Sequence, residues 1–172
     1  AWLAALPADA PLALDTETDD LMPHRARLVG VSLAAPGRPA AYVPVRWREA
    51  GDEPSAQAGT LFEEGEEQDQ LAAVTEVLAP TLADPERLKI GQNFKYDLAV
   101  LERHQLPVAG PLFDTMIASY VLDPGRRSHG LDELARVILG ETMIGYGELF
   151  ARGDRQKDIL AVPLARLAEY AA

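Results

Sequence analysis

Apolar Pro11-Leu12-Ala13-Leu14 runs directly into Asp15-Thr16-Glu17-Thr18-Asp19, and this junction narrows the folds open to the chain more than any other feature. A short apolar run bounded by polar residues reads as a buried strand, so Asp15 stands where such a strand ends. Charge at that place is costly unless it is paired. Residues two apart on a strand share a side, so Asp15 and Glu17 point together. A second acidic cluster, Asn93-Phe94-Lys95-Tyr96-Asp97, follows Lys89-Ile90-Gly91-Gln92. The spacing of Asn93 and Asp97 predicts one helical face for both. Carboxylates brought together by separate elements repel, and hard divalent cations with oxygen ligands are the usual remedy. Taken alone, an Asp-x-Glu pair is more often a helix cap or a turn. Asp97 alone is equally an exposed helix acid paired with Lys95 or Arg103.

The chain has 172 residues, enough for one domain with a sizeable core. Its 48% of hydrophobic residues separates it from disordered chains. No apolar run approaches the ~20 residues of a membrane-spanning helix, so no membrane partner is expected. No secretory leader pattern is present and residue 1 is Ala, so the chain is expected to be a piece of something longer. The absence of cysteine excludes a disulfide scaffold and a thiolate zinc site, and the cytoplasm is the expected compartment. His24, His104 and His129 do not form a spaced metal set, and His104 reads as an ordinary residue on a helix surface. The net charge of −11 opposes a nucleic-acid partner. Eight of the acids, however, lie between Glu49 and Asp69, a stretch without Lys or Arg. The rest of the chain is close to balanced once Asp15, Glu17 and Asp97 are neutralised by metal, so a phosphate chain is not excluded.

Strands are predicted over residues 12–16, 28–34 and 40–45. Pro36-Gly37-Arg38-Pro39 is a turn signal that joins the last two as an antiparallel hairpin. Residues 2–6 read as a short helix or lead-in. Polar, acidic residues 46–67 read as an exposed loop. A helix follows over 68–83 with a kink at Pro80, then a strand over 88–91 and a helix over 94–104. A short strand at 112–113 leads into a helix over 114–122 capped by Asp114. Gly140 stops a helix over 131–139, and Pro163 opens the last helix, over 163–172. This order predicts an α/β fold, a mixed central sheet flanked by helices.

From Asp15 onward the chain resembles the 3′→5′ proofreading exonuclease domain of bacterial DNA polymerase I. That family belongs to an exonuclease superfamily with three Asp, one Glu and a ribonuclease H-like fold. The stretches that carry the resemblance are LALDTETDDL at 12–21, AYVPV at 41–45, LKIGQNFKYDLAVL at 88–101, FDTMIASYVLD at 113–123 and LARLAEYAA at 164–172. They stand in the family's order and cover nearly the whole chain. The resemblance implies an enzyme that removes nucleoside 5′-monophosphates from the 3′ end of single-stranded or frayed DNA, as the proofreading part of a chain with a polymerase domain. It implies Asp15, Glu17 and Asp97 as ligands of two divalent metal ions, Mg2+ or Mn2+. It also implies Tyr170 as the tyrosine that orients the attacking water. The third motif departs from the pattern. An Asp is due four residues after Tyr170, but only Ala171 and Ala172 follow. The expectation is therefore a 3′→5′ exonuclease domain over 1–172, cut before the end of that motif.

The resemblance also supplies a substrate set. Leu21 matches an apolar wedge beside the terminal base, Gln92 and Asn93 match polar contacts to that end, and Tyr96 lies nearby. Tyr146 aligns with a stacking aromatic, and Arg126 or Arg127 meets a phosphate. Leu21 and Tyr146 read equally as core-packing residues. Two rival readings stay open. One is a ribonuclease D-like RNA exonuclease, whose first motif usually lacks the Thr18-Asp19 continuation. The other is a DNA-holding domain with lost catalysis, usually marked by replaced acids.

Overall fold

The computed structural model describes residues 2–48, 66–150 and 157–172. Five strands form the main sheet: β1 (Leu12–Thr18), β2 (Leu28–Ala34), β3 (Ala41–Pro44), β6 (Lys89–Gly91) and β7 (Leu112–Asp114). Between β3 and β6 in the chain stand β4 (Arg46–Arg48), β5 (Glu67–Asp69) and helix α1 (Leu71–Leu82). The remaining helices are α2 (Lys95–Arg103), α3 (Thr115–Leu122), α4 (Leu131–Leu134) and α5 (Leu164–Ala171). The sheet order is β3-β2-β1-β6-β7. β1, β2 and β3 pair antiparallel, while β6 and β7 add to β1 in parallel. Parallel neighbours need crossovers of a dozen or more residues, usually helical, and α1 and α2 serve here. The result is the expected mixed sheet flanked by helices, of the ribonuclease H-like type.

Alternation along the strands assigns each face. Leu12, Leu14, Val31 and Leu33 enter one core with Val74, Leu78 and Leu82 of α1 and Val100 and Leu101 of α2. Val74, Leu78 and Leu82 recur every four residues, so α1 turns one apolar stripe to the sheet. Each buried Leu or Val contributes roughly 1.5–3 kcal/mol relative to exposure. A second cluster, Val29, Leu149, Ile159, Leu160, Val162 and Leu167, packs with Tyr42, Phe150 and Tyr170. It anchors α5 beside the acidic face of β1.

The hairpin of β2 and β3 is present, with Gly37 at φ 71 in its turn. Four expectations change. Residues 46–48 and 67 are not loop, because β4 and β5 pair antiparallel. Arg46 is buried there, bonding Asp69 at 2.8 Å and the Leu28 carbonyl at 2.8 Å, so its charge disguised a strand. Residues 49–65 of that expected loop lie outside the described residues. Asn93 does not share a helical face with Asp97. It precedes α2 at φ 55, a left-handed conformation that Asn tolerates. The expected helix over 131–139 splits into α4 and a π-helical turn, Ala135–Leu139, ended by Gly140 at φ 75. His104 is buried: its Nε2 accepts from Leu28 N at 3.2 Å and its Nδ1 meets the Val100 carbonyl at 2.7 Å.

Candidate active site

Asp15 and Glu17 leave β1 on the face opposite Leu12 and Leu14, across from Ser32 and Gly30 of β2. The register shifts after Glu17, a bulge that turns the strand end and re-aims its side chains. Asp97 arrives from the first turn of α2. Thr16, between the two β1 acids, donates to Asp97 Oδ1 twice, from its backbone N–H at 3.0 Å and from Oγ1 at 2.6 Å. That contact ties α2 to the strand and commits one oxygen of Asp97, leaving the second carboxylate oxygen outside it.

The three carboxyls differ in exposure: Glu17 and Asp97 are buried, whereas Asp15 is exposed. Desolvation of its carboxyl still pushes Asp15 up to about 6, against a lowering backbone hydrogen bond from Thr16. Burial, then the charges of Asp15 and Asp97, push Glu17 up to about 7. Burial, then Asp15, push Asp97 up to about 7. None of the three is in an ion pair with a Lys, Arg or His among the described residues. Nor, among those residues, are three His, Cys, Asp or Glu side chains gathered tightly enough to hold a metal ion. The carboxyls therefore sense one another without closing into a cage. As a donor set they are all oxygen and carry unneutralised charge, which fits a hard divalent cation.

Tyr170, on α5, is half-buried and pushed up to about 12 by burial, then by Glu17 and Asp15. Its ring meets Tyr146 edge-on at 6.4 Å, and Tyr146 meets Phe150 edge-on at 5.1 Å. A cleft of about 220 Å³ is lined by Thr16, Glu17, Thr18, Asp19, Asp20, Leu21, Tyr96 and Tyr146. Glu17 and three of the expected substrate residues thus share one hollow. Leu21 is 92% exposed, so it is not a core residue. Tyr96 Oη donates to the Asp20 carbonyl at 2.6 Å and lies 2.6 Å from Thr18 Oγ1. These bonds pin the segment that carries Leu21.

Gln92, Asn93 and Arg127 stand apart from that cleft. Gln92 spends its amide internally, donating to the His129 carbonyl at 2.8 Å and accepting from Thr115 Oγ1. It lines a second cavity of about 230 Å³ with Asp15, Ser32, Ala171 and Ala172. Asn93 accepts from Lys95 Nζ, and Arg127 is exposed. The sequence reading passed over Thr16, whose signal was its place between two acids. It also passed over Tyr42, which burial, then Glu17, hold well above the usual tyrosine range.

The chain matches a 3′-5′ exonuclease family along residues 1–172. It is 36% identical over 174 residues to DNA polymerase I of Pseudomonas aeruginosa, covering 100% of this chain and 18% of that protein. It spans under a fifth of the length of the curated relatives it matches first. Among solved structures it resembles Brucella melitensis NrnC, with a TM-score of 0.63 and 25% identity over 96% of this chain and 66% of that one. The same protein with bound Mg2+ gives a TM-score of 0.60 at 25% identity, with the same coverage of 96% and 66%.

Proposed function

Because the chain belongs to the 3′-5′ exonuclease family of the DNA polymerase I type, we propose that it releases nucleoside 5′-monophosphates from the 3′ end of single-stranded or frayed DNA. The observation that supports this reading is that Asp15 lies near enough for its charge to raise both Glu17 and Asp97, with Glu17 lining an open cleft. Asp15, Glu17 and Asp97 would hold two divalent ions, Mg2+ or Mn2+. Such ions supply Lewis acidity for in-line attack of water on a phosphodiester.

The chain's own groups do the rest. Tyr170 stays protonated at neutral pH and would orient water on the Glu17 side. Leu21 wedges beside the terminal base. Tyr146 offers a face for stacking, a way of holding a single strand that does not depend on base identity. Gln92 and Asn93 are assigned to polar contacts with the 3′ end, and Arg126 or Arg127 to a phosphate. In a longer parent chain this domain would proofread for a polymerase domain in the cytoplasm. Intact Asp15, Glu17 and Asp97 argue against a domain that only holds DNA.

The test is nucleotide release from 5′-labelled single-stranded DNA in Mg2+ or Mn2+. Asp15→Ala should abolish it while leaving the circular dichroism spectrum intact. Unchanged turnover would refute the assignment, and a clear preference for RNA would move it to the ribonuclease D-like reading.

A further inference from the structure

Two hydroxyls on the carboxylate side of the sheet have nothing to bond. Ser32 Oγ and Tyr42 Oη are buried, and neither has a hydrogen-bond partner among the described residues. Native proteins keep few such groups, and each calls for an explanation. Both belong to one cross-strand row: Asp15 pairs with Ser32, and Ser32 pairs with Tyr42. Directly paired residues project from the same face of a sheet, so the row reads carboxyl, hydroxyl, hydroxyl.

The next row on that face begins with Glu17 opposite Gly30. A Cβ on Gly30 would overlap the hydroxyl end of Tyr42. The tyrosine therefore leans out of its own row and lays its Oη over Gly30, on the Glu17 side. Glycine at position 30 is what makes that room. Nothing among the described residues donates a hydrogen bond to Glu17. Two orphaned donors thus share one face with two carboxyls, of which Glu17 has no donor among the described residues.

We propose that Ser32 and Tyr42 are positioning residues of this centre, with Ser32 Oγ–H donating to Asp15 and Tyr42 Oη–H donating to Glu17 once a divalent cation draws the carboxylates into place. The proposal rests on the reading of Asp15 and Glu17 as metal ligands. Neither hydroxyl touches the substrate. Partners that orient metal ligands from behind typically contribute ~10–100-fold in metal affinity. The same hydroxyls are a burden without metal, because they are then buried and unpaired. Removing either one should weaken metal binding without weakening the fold. A purely structural role would do the opposite.

The experiment measures Mn2+ binding to the whole chain by titration calorimetry without DNA, together with thermal melting in EDTA. Wild type is compared with Asp15→Ala, Tyr42→Phe and Ser32→Ala. The expected result is no binding by Asp15→Ala and ~10-fold or weaker binding by the other two. Their metal-free melting temperatures should equal or exceed that of wild type. Wild-type affinity in both hydroxyl variants, with Asp15→Ala inactive in binding, would overturn the proposal and leave the metal reading standing. Undiminished binding by Asp15→Ala would sink the metal reading and this proposal with it. Lower metal-free melting temperatures in both hydroxyl variants would make the groups structural and also overturn it.

Discussion

Thr16 shows how much one side chain can settle. It is buried, its Oγ1 lies 2.6 Å from Asp97 Oδ1, and the two residues come from different elements. Thr16→Val keeps the shape and the backbone bond but removes the shorter donor. With Asp97 as a proposed metal ligand, we expect nucleotide release to fall ~10–100-fold, the effect of losing an outer partner of a ligand, with an unchanged fold and recovery in Thr16→Ser. Full activity in the valine variant would show that the bond is dispensable. A second prediction follows from the raised carboxyls. Folded, Asp15, Glu17 and Asp97 keep their protons up to about 6, 7 and 7, whereas the unfolded chain releases them near pH ~4. Between those limits the folded state binds more protons, so metal-free stability is greatest at the acid end and is lost as pH rises to 7. Buried His104 works in the other direction. Burial lowers it, so its contribution is present above pH ~6.5 and fades below. Three carboxyls outweigh one imidazole. Melting in EDTA should therefore drop as pH rises from about 4.5 to 7.5, and Mg2+ should restore most at the upper end. Glu17→Gln should flatten the profile, and a wild-type profile that is already flat would contradict the coupling.

At the scale of elements, the junction of β7 and α3 governs how α2 begins. Asp114 caps α3 by accepting from Met116 N at 2.8 Å and Ile117 N at 3.3 Å. The same carboxylate accepts from Asn93 N at 3.1 Å and Phe94 N at 2.8 Å. Burial works against its charge, yet these four backbone donors hold Asp114 below the usual carboxylate range. One side chain therefore stabilises a helix start, the left-handed turn at Asn93 and the entry to the helix that carries Asp97. Asp114→Ala should cost at least the ~0.5–2 kcal/mol of a lost cap. It should also weaken Mn2+ binding, because Asp97 loses its fixed approach. The urea midpoint and a Mn2+ titration measure the two effects. Weaker stability with undiminished Mn2+ affinity would separate the cap from the site.

For the whole molecule, the proposed substrate rests on the cleft of about 220 Å³ beside Glu17 and on the bare Leu21 side chain. A hollow of that size suits an unpaired end, and freeing a paired base costs a few kcal/mol of unpairing and unstacking. Frayed or mismatched ends should therefore be trimmed faster than a blunt GC-rich duplex. Equal rates on the two would contradict the proposed wedge role of Leu21. No helix among the described residues is long and apolar enough to cross a membrane.

The sequence by itself determined the features that depend on near neighbours. The pattern of 12–16 marked the strand that ends in Asp15 and Glu17 and set the two on one side, Pro36-Gly37 marked the hairpin, and Asp114 and Gly140 marked helix ends, because pleat, turn and cap are written within a few residues. Resemblance of motifs went further and identified the family. Tertiary structure alone decided the rest. Thr16 meets Asp97 across 81 residues and Leu28 meets His104 across 76. The hydroxyl end of Tyr42 lies over Gly30 only because β3 lies beside β2 and glycine leaves room. Asn93 turns left-handed because a carboxylate from β7 receives its N–H. Each of these depends on which strands become neighbours and which buried polar groups must share a partner, and neither is encoded in a local period.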